Sequence, residues 1–561
     1  MSEEAVEIAA IKEAQAQGLG ATVKCYLKYS GPGFLQSAIT LGGGSLAGAL
    51  FLGVIGGFEM LWVQLCAMVM GAIMLGAIAY VTLTTGSSPF KGIRDHVNPV
   101  LAWGWLIASM MANMVWVLPQ YALSYSALND NLLPGSIPNA GSAGTQFIIA
   151  IIVLGISLFL ASFYGKGGRG IKIYETILKV LVAIVVLCFM GVVLKLTFMG
   201  ELPWGNIFSG FIPSPGQYFH PTESYQVALD QIQNETAKSW WTEQVVEAQR
   251  SRMIAAASAA VGINMTFLLP FSLLSRKWNK DCRGLAVFDL GFGMVIPFVL
   301  ATSCIVIASA SMFNGEPYEG LLKQESGQWV IDESRTDLAG QQGALGAQLT
   351  SRHSSVSSKL EQSEMLLGAM LIKRDNKDFA NSLSVLLGDK VANLFFGIGV
   401  LAMTLSTISL LMTIAGFCLC EALGHEHGGK THKIGTWFAA TGVFWPFLWN
   451  GSSKAYLAIT TSIFGYVLLP IAFLTFFLMM NSKKLMGEDR PKGRSRVIWN
   501  VLMGISLLIT GLAAGDTAWA KTMTIGDTSF YPGRWLIVIF VVGVIIGHFK
   551  AKKNHTLASD S

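Results

Sequence analysis

The 561-residue chain is 52% hydrophobic and only 13% charged, with a formal net charge of +5 and a mean hydropathy of +0.52. Soluble domains carry about a quarter charged residues, so the composition excludes a soluble globular fold, and so small a charge gives no reason to expect a nucleic-acid partner. Apolar runs of about 20 residues, the length of a bilayer-crossing helix, recur along the whole chain and predict an all-α, multi-pass membrane protein.

Residues 1–30 are expected to form a cytoplasmic N-terminal segment, whose first 24 residues are polar and lack the apolar stretch of a signal peptide. Spans are then expected near 31–55, 58–84, 98–127, 144–164 and 172–198, followed by a polar outer loop at 199–252. A second series follows at 253–275, 284–312, 391–420, 435–449 and 455–480, with a long Ser/Gln-rich outer segment at 313–390. That segment has one amphipathic stretch, from Ser358 to Ile372. A basic loop at 481–496 and two more spans, 497–515 and 534–549, bring the total to about twelve.

Cations sort by side. One set of short loops holds Lys91 and Arg94; Lys166, Arg169 and Lys172; Arg276, Lys277, Lys280 and Arg283; Lys430 and Lys433; and six Lys or Arg in "NSKKLMGEDRPKGRSR". The opposite short loops contribute only Lys454 and Lys521. By the positive-inside rule, both termini lie in the cytoplasm. All seven cysteines fall in spans or on that side, a usage that points to a bacterial inner membrane.

The first span contains "TLGGGSLAG", Thr40 to Gly48. Each of its three consecutive glycines costs about 1 kcal/mol in a helix against alanine. The sixth span, "VGINMTFLLPFSLLS", has Gly262, Asn264 and Thr266 at comparable depth, and Pro270 removes a helix hydrogen bond beyond them. Five spans per unit mean that the second unit (253–480) enters the membrane from the side opposite to the first (31–198). Inverted five-helix units with interrupted first helices build transporters whose unwound segments meet at mid-membrane. Gly42–Ser45 and Gly262–Thr266 are therefore expected to be non-helical and to face one cavity. A close-packing face built on Gly44 and Gly48 is the alternative.

"GPGFLQSAITLGGGS", "GIGVLAMTLSTISLLMTIAG" followed by Glu421, and "LPIAFLTFFLMMNSKKLMGE" resemble the first, eighth and tenth helices of the Nramp family of proton-coupled divalent-metal transporters. The resemblance implies a LeuT-like fold of two inverted five-helix repeats plus two C-terminal helices. It does not carry the family's chemistry. The metal-binding Asp and Asn of the family's DPGN motif align with Gly42 and Ser45, and its tenth-helix Gln falls on Ser462. The Met of its sixth helix aligns with Thr266, with Met265 one residue away, and its His with Leu268. Gln120 stands where a third-helix acid would move protons.

The candidate substrate residues are thus Thr40, Gly42, Ser45, Gly262, Asn264, Met265, Thr266 and Ser462. Gly42, Ser45, Met265, Thr266 and Ser462 are the candidate metal ligands. If Met265 points away, only uncharged oxygen donors remain, and a carrier of Mg2+ or Mn2+ would discriminate poorly between them. Stripping water from a divalent ion without counter-charge is costly, which keeps two other readings open. One is a carrier of a neutral or zwitterionic organic solute, Na+-coupled as in other folds of this architecture; the other is a transport-inactive sensor or scaffold. Asp289, Glu175 and Lys179 are the candidates for a titratable coupling group, each in the cytoplasmic third of its span, where each reads more simply as a solvated or headgroup-facing residue. His425, His427 and His432 in "GHEHGGKTHK" offer metal ligands but read more simply as a solvated turn. Trp103, Trp105, Trp204, Trp240, Trp241, Trp445 and Trp449 lie near span ends and read as interfacial anchors. No Walker motif is present, which argues against ATP-driven transport. Neither enzyme activity nor a cofactor is expected; the partners are the transported solute and the bilayer, and the oligomeric state stays open.

Overall fold

The computed structural model describes residues 3–164, 168–375, 377–380, 388–449, 453–525 and 528–559. Two helices, Glu3–Gln17 and Leu19–Tyr29, precede the first apolar run. That run is divided into α1 (Pro32–Thr40) and α2 (Gly43–Gly56). Then come α3 (Leu61–Thr85), α4 (Pro99–Ser126), α5 (Ala143–Tyr164) and α6 (Gly168–Met199). The second series opens with another divided helix, α7 (Glu235–Ala260) and α8 (Ile263–Ser275). It continues through α9 (Arg283–Leu290), α10 (Ile296–Phe313), α11 (Asp389–Leu423), α12 (Lys430–Thr436), α13 (Trp445–Leu448) and α14 (Lys454–Asn481). Helices α15 (Gly493–Ala520) and α16 (Pro532–Ser559) complete the chain.

Local chemistry explains several boundaries. Pro32 and Pro99 stand at first helical positions, where a missing N–H costs nothing. Asn98 caps α4 by accepting from the N–H groups of Val100 and Leu101 at 2.9 and 3.3 Å. Gly86 and Gly424 end α3 and α11 with φ of 62° and 68°, a left-handed turn that favours glycine.

Among the described residues, ten helical stretches are long and apolar enough to cross a membrane. One of them, Gly43–Thr85, contains both α2 and α3. The expected ninth span is built differently: between α12 and α13, Trp437–Phe444 winds as a 3₁₀-helix. As an α-helix, 435–449 would reach only about 22 Å. The 3₁₀ rise of about 2 Å per residue lengthens the stretch Trp437–Phe444 by about 4 Å over an α-helix, and α12 and α13 continue it at either end.

Packing repeats between the two series. Helix α2 packs on α10 as α8 packs on α3; α4 packs on α14 as α11 packs on α6; and the 3₁₀ segment packs on α4 as α5 packs on α11. Exchanging each span with the one five places later maps every pair onto its counterpart, the relation expected of two inverted units.

The two long segments on the face opposite the N-terminus fold together. Helix α7 begins at Glu235, inside the stretch that composition reads as loop. The reason is that Trp241 and Val245, one turn apart, bury against Tyr225, Leu229, Leu367 and Met370. The later segment forms a hairpin that pairs Leu322–Glu325 with Gln328–Ile331. A helix over Ala339–Ser355 follows, with no apolar periodicity to announce it, and then Gln362–Met370 inside the expected amphipathic stretch. Arg352 and Glu364, both fully buried, join these two helices by a bidentate ion pair, and Trp241 Nε1 donates to Glu364 Oε2 at 2.8 Å. The tryptophans divide: Trp103 and Trp204 are exposed, whereas Trp105, Trp241 and Trp445 are core residues rather than interfacial anchors.

Candidate transport site

Both divided helices break over two residues. In the first, Leu41 (φ −82°, ψ 54°) and Gly42 (φ −101°, ψ −178°) separate α1 from α2. In the second, Val261 (φ −145°, ψ 114°) and Gly262 (φ −91°, ψ 159°) separate α7 from α8. The unwound segments are shorter than the sequence suggested, since Gly43–Ser45 and Ile263–Thr266 already form the first turns of α2 and α8. All four φ values are negative, so any residue could adopt this backbone. Space, not conformational freedom, calls for glycine: a Cβ on Gly42 would fall under 3.0 Å from Thr407 Oγ1, and one on Gly262 would run into the Trp116 ring.

Between the breaks lies a cavity of about 40 Å³, room for two or three waters. The breaks supply Thr40, Gly42, Ser45, Gly262, Asn264 and Met265; α4 adds Trp116 and Gln120; α11 adds Thr407; α14 adds Thr461 and Ser462. Among the described residues, none that lines the cavity carries an ionisable side chain.

Seven of the eight expected residues meet here, and Thr266 does not. Its hydroxyl donates to the Ile263 carbonyl and accepts from Trp105 Nε1 at 2.7 Å, on the side where Trp105 stacks on Phe267. Once α8 starts at Ile263, helix phase turns consecutive residues about 100° apart, and Met265 is the one that faces the break. Its sulfur lies 3.3 Å from Thr40 Oγ1 and 3.4 Å from the Gly262 N–H. Met265, not Thr266, is the sixth-helix side chain that reaches the cavity.

Asn264 is fully buried, and neither its amide oxygen nor its nitrogen has a hydrogen-bond partner among the described residues. Leaving such a group unsatisfied costs about 1–3 kcal/mol, so this side chain is suited to a ligand or water that enters the cavity. Ser45 Oγ donates to the Thr40 carbonyl and lies 3.2 Å from that of Ala259, bridging the ends of α1 and α7. Gln120 Oε1 accepts from the Gly43 N–H at 2.9 Å and so caps α2 from a neighbouring helix. Trp116 donates from Nε1 to the Thr461 carbonyl at 2.7 Å and closes one wall against Gly262 and Gly465. Sequence reasoning missed Trp116, Thr407 and Thr461; the glycines opposite Trp116 and Thr407 were the available signal.

The titratable candidates lie elsewhere. Asp289 is buried and accepts from the N–H groups of Gly31 and Gly33 at 3.0 and 2.6 Å, capping α1 in trans. Lys179 donates to the Ser30 carbonyl at 3.4 Å and sits over the Phe34 ring. The Glu175 side chain lies outside the described residues.

Residues 33–329 and 363–515 match the model of the family described as natural resistance-associated macrophage protein-like, Nramp. The chain is 26% identical over 290 residues to the metal transporter Nramp6.2 of Populus trichocarpa, which covers 50% of this chain and 45% of that protein. It is also 26% identical over 167 residues to the metal transporter Nramp2 of Oryza sativa subsp. japonica, 29% of each. It thus spans less than half the length of these curated relatives. A mutant of the manganese transporter of Eremococcus coleocola superposes with a TM-score of 0.60 at 12% identity over 94% of both chains. The same transporter in complex with an aromatic bis-isothiourea substituted compound gives 0.59 at 14% identity, again over 94% of both chains. At such identities the likeness shows the fold, which is LeuT-like. With most of its spans inside the family match, this multi-pass membrane protein belongs to the Nramp family.

Proposed function

We propose that the chain is a secondary transporter of a divalent transition-metal ion, bound without a carboxylate between the two helix breaks. The observation that carries this reading is the Met265 sulfur beside the unpartnered Asn264 amide at the cavity. A thioether favours manganese and softer ions over Mg2+, which takes oxygen donors and keeps its waters. Partial counter-charge comes from the C-terminal ends of α1 and α7, each equivalent to roughly half a negative charge. Gln120 offsets the opposite field at the start of α2. The names of the relatives, metal and manganese transporters, point the same way, and a cavity of about 40 Å³ suits an ion with a few waters better than an amino acid. The absence of charge in the lining is the observation that favours the second reading, a neutral or zwitterionic solute. The orientation we propose has the basic loops and both termini in the cytoplasm of a bacterial cell, with the protein in the inner membrane.

Isothermal titration of the purified protein with Cd2+, Mn2+ and Mg2+ tests the reading. Cd2+ should bind most tightly, and Met265→Ala should weaken Cd2+ far more than Mg2+. Binding of no divalent ion at millimolar concentration would overturn it in favour of the organic solute.

A further inference from the structure

We propose a second metal site, built from Cys420, His427 and His432 at the end of α11, that takes a thiophilic divalent ion of the zinc class. One ligand atom from each residue lies within 4.8 Å of the other two. The local chain path brings them together. Helix α11 ends at Gly424 in a left-handed turn, the loop returns His427 over Cys420, and α12 then lies back along α11. His432 reaches in only because position 416 is glycine: a Cβ there would meet the imidazole at 2.7–2.8 Å.

The ring is buried, and its Nδ1 has no hydrogen-bond partner among the described residues. A buried imidazole that keeps an unpartnered ring nitrogen beside a thiol and a second imidazole is suited to a metal ion. His427 is held from behind, with Nε2 3.0 Å from Glu421 Oε1, while Ser88 Oγ donates to the other carboxylate oxygen. Ligating histidines carry such an outer carboxylate, which fixes ring orientation and raises ligand basicity. Phe417 packs against both imidazoles, with centroids 5.4 and 5.0 Å away.

Cys420 is buried, and its sulfur lies 3.5 Å from the Glu426 carbonyl. The His427 side chain is 33% exposed, which gives an ion a route from solvent. His425 takes no part, since its Nδ1 lies 2.7 Å from Thr431 Oγ1 on the surface.

One thiolate and two neutral imidazoles with a fourth, open position form a set that zinc and its neighbours take. Binding releases the thiol proton to solvent as the metal–sulfur bond forms, with no redox change. Ligand atoms around tetrahedral zinc stand about 3.5 Å apart, so the half-exposed His427 must close in by about 1 Å. The ion would then tie α11, which supplies Thr407 to the central cavity, to α12.

Titration of the purified full-length protein with Co2+ alone tests the site by its absorption. The expected result is a near-ultraviolet thiolate-to-cobalt charge-transfer band with the intense visible bands of four-coordinate cobalt, all displaced by Zn2+. Cys420→Ser should abolish the charge-transfer band. His427→Ala, at a partly exposed position that folding tolerates, should weaken binding as His432→Ala does, and Glu421→Gln should weaken it about tenfold or more. His425→Ala should leave the charge-transfer band unchanged, and so should Met265→Ala, which separates this site from the central cavity. A parent protein without the band, or a band that survives Cys420→Ser, would overturn the proposal.

Discussion

Placing a carboxylate at Gly42 probes both the chemistry of the cavity and the reason for its glycine. A Cβ at this position would come under 3.0 Å from Thr407 Oγ1 and would lie 3.2 Å from Thr407 Cγ2 and 3.1 Å from the Ile39 carbonyl. Thr407 is not free to turn away, because its hydroxyl donates to the Met403 carbonyl at 2.8 Å. Displacing it by about 1 Å should cost about 1–3 kcal/mol, the usual range for overpacking, and an unpaired buried carboxylate adds several more. Gly42→Asp alone should therefore be clearly less stable than the parent. Thr407→Ala removes the two obstructing Thr407 atoms and leaves the Ile39 carbonyl at 3.1 Å, so Gly42→Asp/Thr407→Ala should regain about 1–3 kcal/mol of the loss. In that background the new carboxylate faces the ion. A hydrogen bond or ligand contact from a charged group contributes about 1.5–3 kcal/mol, which predicts Mn2+ binding roughly 10- to 100-fold tighter. Thermal unfolding with and without Mn2+, followed by isothermal titration, reads both effects. If Gly42→Asp were as stable as the parent, with no coupling to Thr407, the steric argument would be wrong. An unchanged Mn2+ affinity in the folded double variant would show that the cavity is not the ion site.

Gly262→Ala should destabilise by a similar 1–3 kcal/mol through the Trp116 ring, and Gly262→Ala/Trp116→Phe should recover part of it in the same unfolding assay. Asp289→Ala frees the N–H groups of Gly31 and Gly33, so a cysteine placed at Thr40 should become more reactive from the face that carries the N-terminus. An unchanged labelling rate would mean that this cap does not hold α1 shut. Glu364→Gln leaves Arg352 buried beside a neutral partner and should cost about 3–5 kcal/mol, seen as faster proteolysis within 313–390. In intact cells, Gly340→Cys should label from outside and Lys492→Cys should not; the reverse pattern would invert the proposed topology.

Much of the architecture follows from one-dimensional chemistry, because the bilayer forces every backbone polar group in a span to be satisfied within the helix. Length and hydropathy alone therefore locate the spans. Gly42 and Gly262 mark the two breaks, and the cation asymmetry predicts sides. The Ser/Gln-rich segment defeats such reading: the helix over Ala339–Ser355 is stabilised by Arg352 reaching Glu364, a contact no periodicity announces. Trp105, Trp241 and Trp445 mislead for a related reason. A tryptophan near a span end is equally at home in a headgroup layer or against a neighbouring helix, and only its neighbours distinguish the two.

From the sequence alone came the membrane class, the paired interruptions and the uncharged residues Gly42 and Ser45 at the first break, since each depends on residue identity at known depth. Tertiary structure decided what those positions face. Met265 rather than Thr266 lines the cavity because the exact residue at which α8 begins sets its phase, and one residue is about 100° of rotation. Gln120 caps α2, and Cys420 joins His427 and His432 while His425 stays in solvent. These are contacts between groups brought together by packing between helices, and packing distance is not written in sequence spacing.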